Sequence, residues 1–163
     1  MERLSWNCYF LEIAETVAKR STCLRHKIGC VLVKDKRIIA TGYNGNITKT
    51  AHCSERDGCL REKLNIPSGT NLHIDRAIHA EQNAIFQCAK EGISAKDSVL
   101  FSTHQPCSIC TKSILQVGIK EVYYIHGYPD EFSLELFHES GVPIYQLKDK
   151  ITNEFQRIFL KSS

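Results

Sequence analysis

The chain has 163 residues, 42% hydrophobic and 24% charged, which suits one globular domain with a packed core and excludes a disordered or fibrous polypeptide. Lysine plus arginine total 21 against 18 for aspartate plus glutamate, and the resulting +3 is scattered, so composition gives no case for a long nucleic-acid or membrane surface. Eight cysteines without an export signal, and without any run near ~18 apolar residues, point to a cytoplasmic chain whose thiols serve metals, catalysis or packing rather than disulfides.

Trp6, Phe10, Ile13, Ala14 and Val17 recur at helical spacing behind Ser5, a suitable cap, so the first element is a helix. "KIGCVLV" and "RIIATG" follow as two β-rich runs joined by the polar "KDK", a hairpin. Residues 45 to 75 then show no sustained period. A loop of that length is uncommon in a compact domain unless it is functional or held by something else, and this one carries His52, Cys53, Cys59 and His73.

Regular alternation returns near residue 79. Ala77, Ala80, Ala84, Ile85 and Cys88 mark one helical face ending at Gly92, and "SVLFST" is the next strand. The pattern repeats twice. A helix from about Cys107 ends at Gly118 before "EVYYIH", and one from about Glu131 ends at Gly141 before "PIYQL". Each terminal glycine precedes an apolar residue, Ile93, Ile119 or Val142, of the kind that packs back on the last turn. This is a layered α/β domain, 1–163, with a largely parallel second half.

The chemistry lies at two of the helix starts. In "QPCSIC", Cys107 and Cys110 are three apart, which puts both sulfurs on one face of a first turn, where backbone N–H groups favour thiolates, the zinc-binding form. His79 supplies a third ligand from another helix start. One histidine and two thiolates leave the fourth tetrahedral position for water, as in catalytic rather than structural zinc sites. In "HAE", Glu81 follows His79 by two positions, so the ligand and a free acid/base need not share a direction. Read separately, these are ordinary helix-start residues and half of a zinc ribbon. In order at two strand-to-helix junctions, H-x-E and P-C-x-x-C form the signature of zinc nucleobase deaminases.

With "KRSTCLRHKIGCVLV", "TGYNG", "HCSERDGCLRE", "IPSG" and "HGYPDE" added, nearly the whole chain resembles a deoxycytidylate (dCMP) deaminase of the branch that includes the late-competence operon proteins. The resemblance implies a three-layer α-β-α sandwich with a mixed five-stranded sheet, and zinc-dependent conversion of dCMP to dUMP with release of ammonia. It implies Glu81 as the proton carrier. It also implies substrate contacts from Asn44 in "GYNG", from Arg25 on the 5′-phosphate, and from Tyr128, each of which has a plain alternative as a turn, surface or packing residue. A second, structural zinc is implied on Cys23, Cys53 and Cys59, with Asp75 where the family pattern carries a further cysteine and with His73 or His52 as other fourth ligands. Cys8, Cys30 and Cys88 lie on apolar stretches and read as core.

After "GYNG" the chain reads "NITKT", departing from the proline and glycine of regulated members, which are hexamers activated by dCTP and restrained by dTTP. A homo-oligomer is expected and regulation is left open. The alternatives are a deaminase of a nucleoside, a pterin-like base or tRNA, and a non-catalytic zinc-stabilised interaction protein linked to DNA uptake. The modest charge argues against a stable nucleic-acid partner. Glu81 beside an open ligand position argues against a scaffold.

Overall fold

A computed structural model describes residues 3–159. Helix α1 (Trp6–Ala18) leads into the hairpin β1 (Gly29–Lys34) and β2 (Arg37–Tyr43). The two-residue strand β3 (Gly45–Asn46), the single-turn helix α2 (Leu60–Lys63) and the two-residue strand β4 (Ala77–Ile78) follow. Then come α3 (Ala80–Glu91), β5 (Val99–His104), α4 (Ser108–Gln116), β6 (Glu121–His126), α5 (Glu131–Ser140), β7 (Ile144–Asp149) and β8 (Glu154–Arg157).

The main sheet runs β2-β1-β5-β6-β7-β8, with β5, β6 and β7 parallel and the outer pairings antiparallel. It therefore has six strands, which corrects the expected five. The added strand, "EFQR", carries one aromatic in a polar context, so its pattern alone is weak. Phe155 gives it a place, closing edge-on over Tyr123 with ring centroids 5.2 Å apart.

Alternation along the central strands sends side chains to two cores. Cys30, Leu32, Leu100, Val122 and Tyr124 meet α3, α4 and α5 on one face. Val31, Val33, Phe101 and Tyr123 meet α1 on the other. Both faces are covered, which is why these strands read as continuous apolar runs. The three-layer expectation holds. Cys8, Cys30 and Cys88 are core residues, as expected.

Two details of the sequence reading shift. The buried stripe of α1 is Cys8, Phe10, Leu11, Ala14 and Ala18, while Trp6 is 43% exposed and stacks on Phe10 at the rim. At the helix ends, Gly92, Gly118 and Gly141 adopt φ of 68°, 78° and 72°, as the left-handed terminator requires. Ile119 packs back fully and Val142 partly, but Ile93 is 41% exposed, so only its backbone N–H, bonded to the Cys88 carbonyl, completes that cap.

Residues 47 to 76 form an excursion whose ends are joined, because Gly45 pairs with Ile78 and Asn46 with Ala77. Within it short turns at Cys53–Glu55 and Leu72–Ile74 flank α2. Its staple is Arg61, only 6% exposed, which donates to the carbonyls of Pro67 and Thr70 and pairs with Asp75. No helix among the described residues is long and apolar enough to cross a membrane.

Candidate active site

His79 is the N-cap of α3, in extended conformation, and Cys107 is the N-cap of α4. Their positions follow from close packing of the layers. At Gly42 in β2 a Cβ would collide with the Ala80 carbonyl and the Ala84 nitrogen, so glycine lets α3 lie against the sheet. Asn83 then donates to the Tyr43 carbonyl, and Gln82 accepts the His79 backbone N–H. The α4 start is held from the far side by Asp130, whose carboxylate accepts from the Ser108 N–H at 2.7 Å and the Ser133 N–H at 3.1 Å. Ser133 in turn donates to the Pro106 carbonyl. One aspartate thus caps α5 and fixes the turn that carries the cysteine pair.

The result brings His79 Nδ1 to 3.3 Å from both Cys107 Sγ and Cys110 Sγ. A tetrahedral zinc with ordinary bond lengths needs roughly 3.5 Å between such atoms. The donor set fits zinc, and so does its field. Burial opposes charge on His79, but the hydrogen bond to and charge of Cys107 raise it to about 9. A hydrogen bond from Cys110, with help from His79, pulls Cys107 down to about 5, while Cys110, hydrogen-bonded to that thiolate and buried, is held up. The centre of the cluster favours positive charge. Among the described residues this is the one group of three or more potential ligands whose donor atoms lie within 4.8 Å of one another, and no fourth protein donor joins it.

Glu81 is 4% exposed and lines the same cavity as His79. Burial first, and then the charge of Cys107, push its carboxyl up to about 7. The two residues of "HAE" therefore face one space. The helical rotation of about 100° per residue applies from α3 onward, and the extended N-cap preceding it is free to turn its ring toward Glu81.

The other expected residues converge on this cavity in different ways. Arg25, Asn44 and Tyr128 all line it. Arg25 donates to the Ile66 carbonyl and the Ser68 hydroxyl, and the Tyr128 hydroxyl accepts from the Gly69 N–H, so both grip the "IPSGT" turn. Asn44 is largely committed to the fold. Its Oδ1 accepts from Ser21 and the Ile28 N–H, and its Nδ2 donates to the His26 carbonyl, leaving one N–H for a ligand. Ser21, Arg61, Gln105 and Asp130 were not marked by sequence pattern. Of these, Asp130 had a legible signal, since it precedes a helical run and stands three residues before Ser133.

Cys23, Cys53, Cys59 and Asp75 line the cavity too, without meeting the metal-cluster spacing. The Cys53 thiol faces Asn46 Oδ1 at 3.6 Å and is raised, mostly by burial and then by Cys59. Asp75 turns its oxygens to the Ala77 N–H, Arg61 and His79. His52 caps the Cys53–Glu55 turn and His73 lies in the Leu72–Ile74 turn; neither lines the cavity.

Comparison with known proteins agrees with this geometry. The cytidine and deoxycytidylate deaminase zinc-binding region matches residues 4–126. The chain is 44% identical to ComE operon protein 2 of Bacillus subtilis over 91% of its own length and 74% of that protein's. It is 39% identical to the deoxycytidylate deaminase of Schizosaccharomyces pombe over 88% of its length, but spans only 44% of that enzyme. Among solved structures, the dCMP deaminase of cyanophage S-TIM5 in complex with dCMP and dUMP superposes with a TM-score of 0.70 at 34% identity, covering 85% of this chain and 93% of that one. The chain belongs to the cytidine and deoxycytidylate deaminase family.

Proposed function

We propose that this chain is a single-domain, zinc-dependent deaminase converting dCMP to dUMP and ammonia, acting in the cytoplasm and supplying dUMP for thymidylate synthesis. The observation that carries the reading is the cluster itself: His79 Nδ1 at 3.3 Å from two cysteine sulfurs, with buried Glu81 on the same cavity and, among the described residues, three protein donors and not four. The similarity to a phage dCMP deaminase solved with dCMP and dUMP supports the choice of nucleotide.

His79, Cys107 and Cys110 would hold zinc, which when bound supplies a water polarised toward ionisation at neutral pH. Glu81 would take one proton from the attacking water and pass it to N3 of cytosine, then take the remaining proton from the hydroxyl formed at C4 and pass it to the amine, which leaves as ammonia while C4 becomes a carbonyl. A carboxyl held near 7 by burial suits a group that must both take and give a proton at neutral pH. Arg25 would face the 5′-phosphate, Asn44 would offer its remaining N–H, and Tyr128 would hold the "IPSGT" turn against the nucleotide.

Glu81→Gln is expected to keep zinc and to lower turnover by roughly 10²–10⁴-fold, measured as ammonia release from dCMP. A panel of dCMP, dCTP, cytidine and a tRNA anticodon loop tests the substrate. Preference for an unphosphorylated substrate overturns both dCMP and the Arg25 role. The finer parts have their own tests. Two zinc ions per chain support a second site on Cys23, Cys53 and Cys59, and one ion removes it. Homo-oligomerisation, with a hexamer as the family form, is read from sedimentation, and dCTP or dTTP control from titration at low dCMP.

A further inference from the structure

We propose that Asp75 is a positioning residue for the metal ligand His79, the middle member of an Arg61–Asp75–His79 relay, and not a ligand of a second zinc. The inference rests on the reading of His79 as a zinc ligand. The geometry has three parts. His79 turns Nδ1 to the two sulfurs, so a metal there leaves the proton on Nε2, an N–H that needs an acceptor. Asp75 Oδ2 is the acceptor that Nε2 faces, at 3.9 Å. That is about 1 Å beyond hydrogen-bonding length, so the imidazole and the carboxylate must approach by that much for the bond to form.

The carboxylate is also held for this task. Its Oδ1 accepts from the Ala77 N–H at 2.9 Å, which aims Oδ2 across the space between Arg61 Nη1, at 3.5 Å, and the imidazole. Arg61 cannot follow the carboxylate into solvent, because its other terminal nitrogen donates to the carbonyls of Pro67 and Thr70. Asp75 also lines the active-site cavity. A zinc that took Asp75 as its fourth ligand beside Cys23, Cys53 and Cys59 would compete with the buried Arg61 guanidinium for that carboxylate. With Asp75 as second partner of His79, both oxygens keep their present contacts.

The relay predicts effects on the metal and not only on turnover. Asp75→Ala is expected to weaken zinc binding at the His79 site by roughly 10–100-fold, read by competition with a chromophoric chelator. Asp75→Asn, which keeps size and an acceptor oxygen but loses the charge, is expected to fall between wild type and Ala. In proton NMR of the zinc-loaded protein, the hydrogen-bonded Nε2–H of His79 should be a downfield exchangeable signal that moves in Asp75→Asn and is lost in Asp75→Ala. In the cobalt-substituted protein the visible ligand-field bands should shift in the same order. Unchanged zinc affinity and an unchanged Nε2–H in a folded Asp75→Asn overturn the proposal. So does loss of one of two zinc ions in either variant with affinity for the other unaltered. Should the wild type bind no zinc through His79, the broader reading fails instead, and the chelator titration separates that case.

Discussion

The metal cluster and the 47–76 excursion share one cavity, yet they are built by opposite means. The cluster is assembled from the starts of two long helices that are packed on a six-stranded sheet, so its geometry is inherited from the core. The excursion has only short turns and leans on one buried arginine that bonds the carbonyls of its own loop. Scaffold precision places the His79, Cys107 and Cys110 donor atoms; local polar bonds place the wall of the cavity beside them.

The largest expected effect would break the first half of this contrast. Cys107→Ala removes a metal ligand from a preformed site whose helices are held by the core, so zinc affinity should fall by more than the roughly 100-fold that outer contacts are worth, while the fold persists. Chelator competition and far-UV circular dichroism measured together check this. Unfolding of the whole chain on loss of that one ligand would mean the metal builds the scaffold, and the contrast would be wrong.

Arg61→Met tests the other half. It removes charged donors from the Pro67 and Thr70 carbonyls and from Asp75, and is expected to cost about 2–3 kcal/mol. Amide exchange should accelerate across residues 60–76 while α3 and α4 keep their protection. Uniform acceleration would show the excursion and the site to be a single cooperative unit.

This division also sets what could be read from the residues. Helices, the hairpin, the parallel crossovers and the clustering of His79, Cys107 and Cys110 were legible because each leaves a periodic or spaced mark: apolar residues at helical intervals, glycines at three helix ends, cysteines three apart at a helix start. Arg61 leaves none, since an arginine followed by glutamate and lysine reads as solvated surface, and only the carbonyls it meets show otherwise. Asp75 was read through the family pattern as a possible thiolate substitute, because its partners Arg61 and His79 are not set by spacing. Asn44 and Tyr128 line the cavity that holds the cluster, but how much of each side chain the fold already uses depends on contacts with Ser21, Ile28 and Gly69. The sixth strand is hidden for a similar reason: apart from its pairing with β7, the contact that places it is one ring, Phe155 on Tyr123.

Gly42→Ala sharpens the scaffold side. A methyl group there has only backbone to meet, at Ala80 and Ala84, so the start of α3 must shift. A stability loss of about 1–3 kcal/mol is expected in urea unfolding, with weaker zinc binding because His79 moves with the helix. Full stability with normal zinc affinity would mean that the approach of α3 to β2 is looser than the contact implies.

The smallest effect concerns the sheet end beside the cavity. His104 closes β5 and sits between His26 and His126, with ring centroids 6.3 and 5.0 Å away, and its Nδ1 lies 3.0 Å from the Thr103 hydroxyl. Burial first, then His126 and His26, lower its pKa from 6.5 to about 4. Between those values the unfolded chain binds a proton that the folded chain refuses. The stabilisation is thus complete above pH 6.5 and is lost as the pH falls toward 4, with a slope no steeper than the one-proton limit of about 1.4 kcal/mol per pH unit. Partial solvent access of the ring should keep the measured slope below that limit. His104→Gln removes this proton uptake, so its urea stability should fall less between pH 6.5 and 4 than that of the wild type. Parallel curves for the two proteins would show that the histidine row is hydrated enough to titrate alike in both states, and that the scaffold's rigidity ends short of the strand tips.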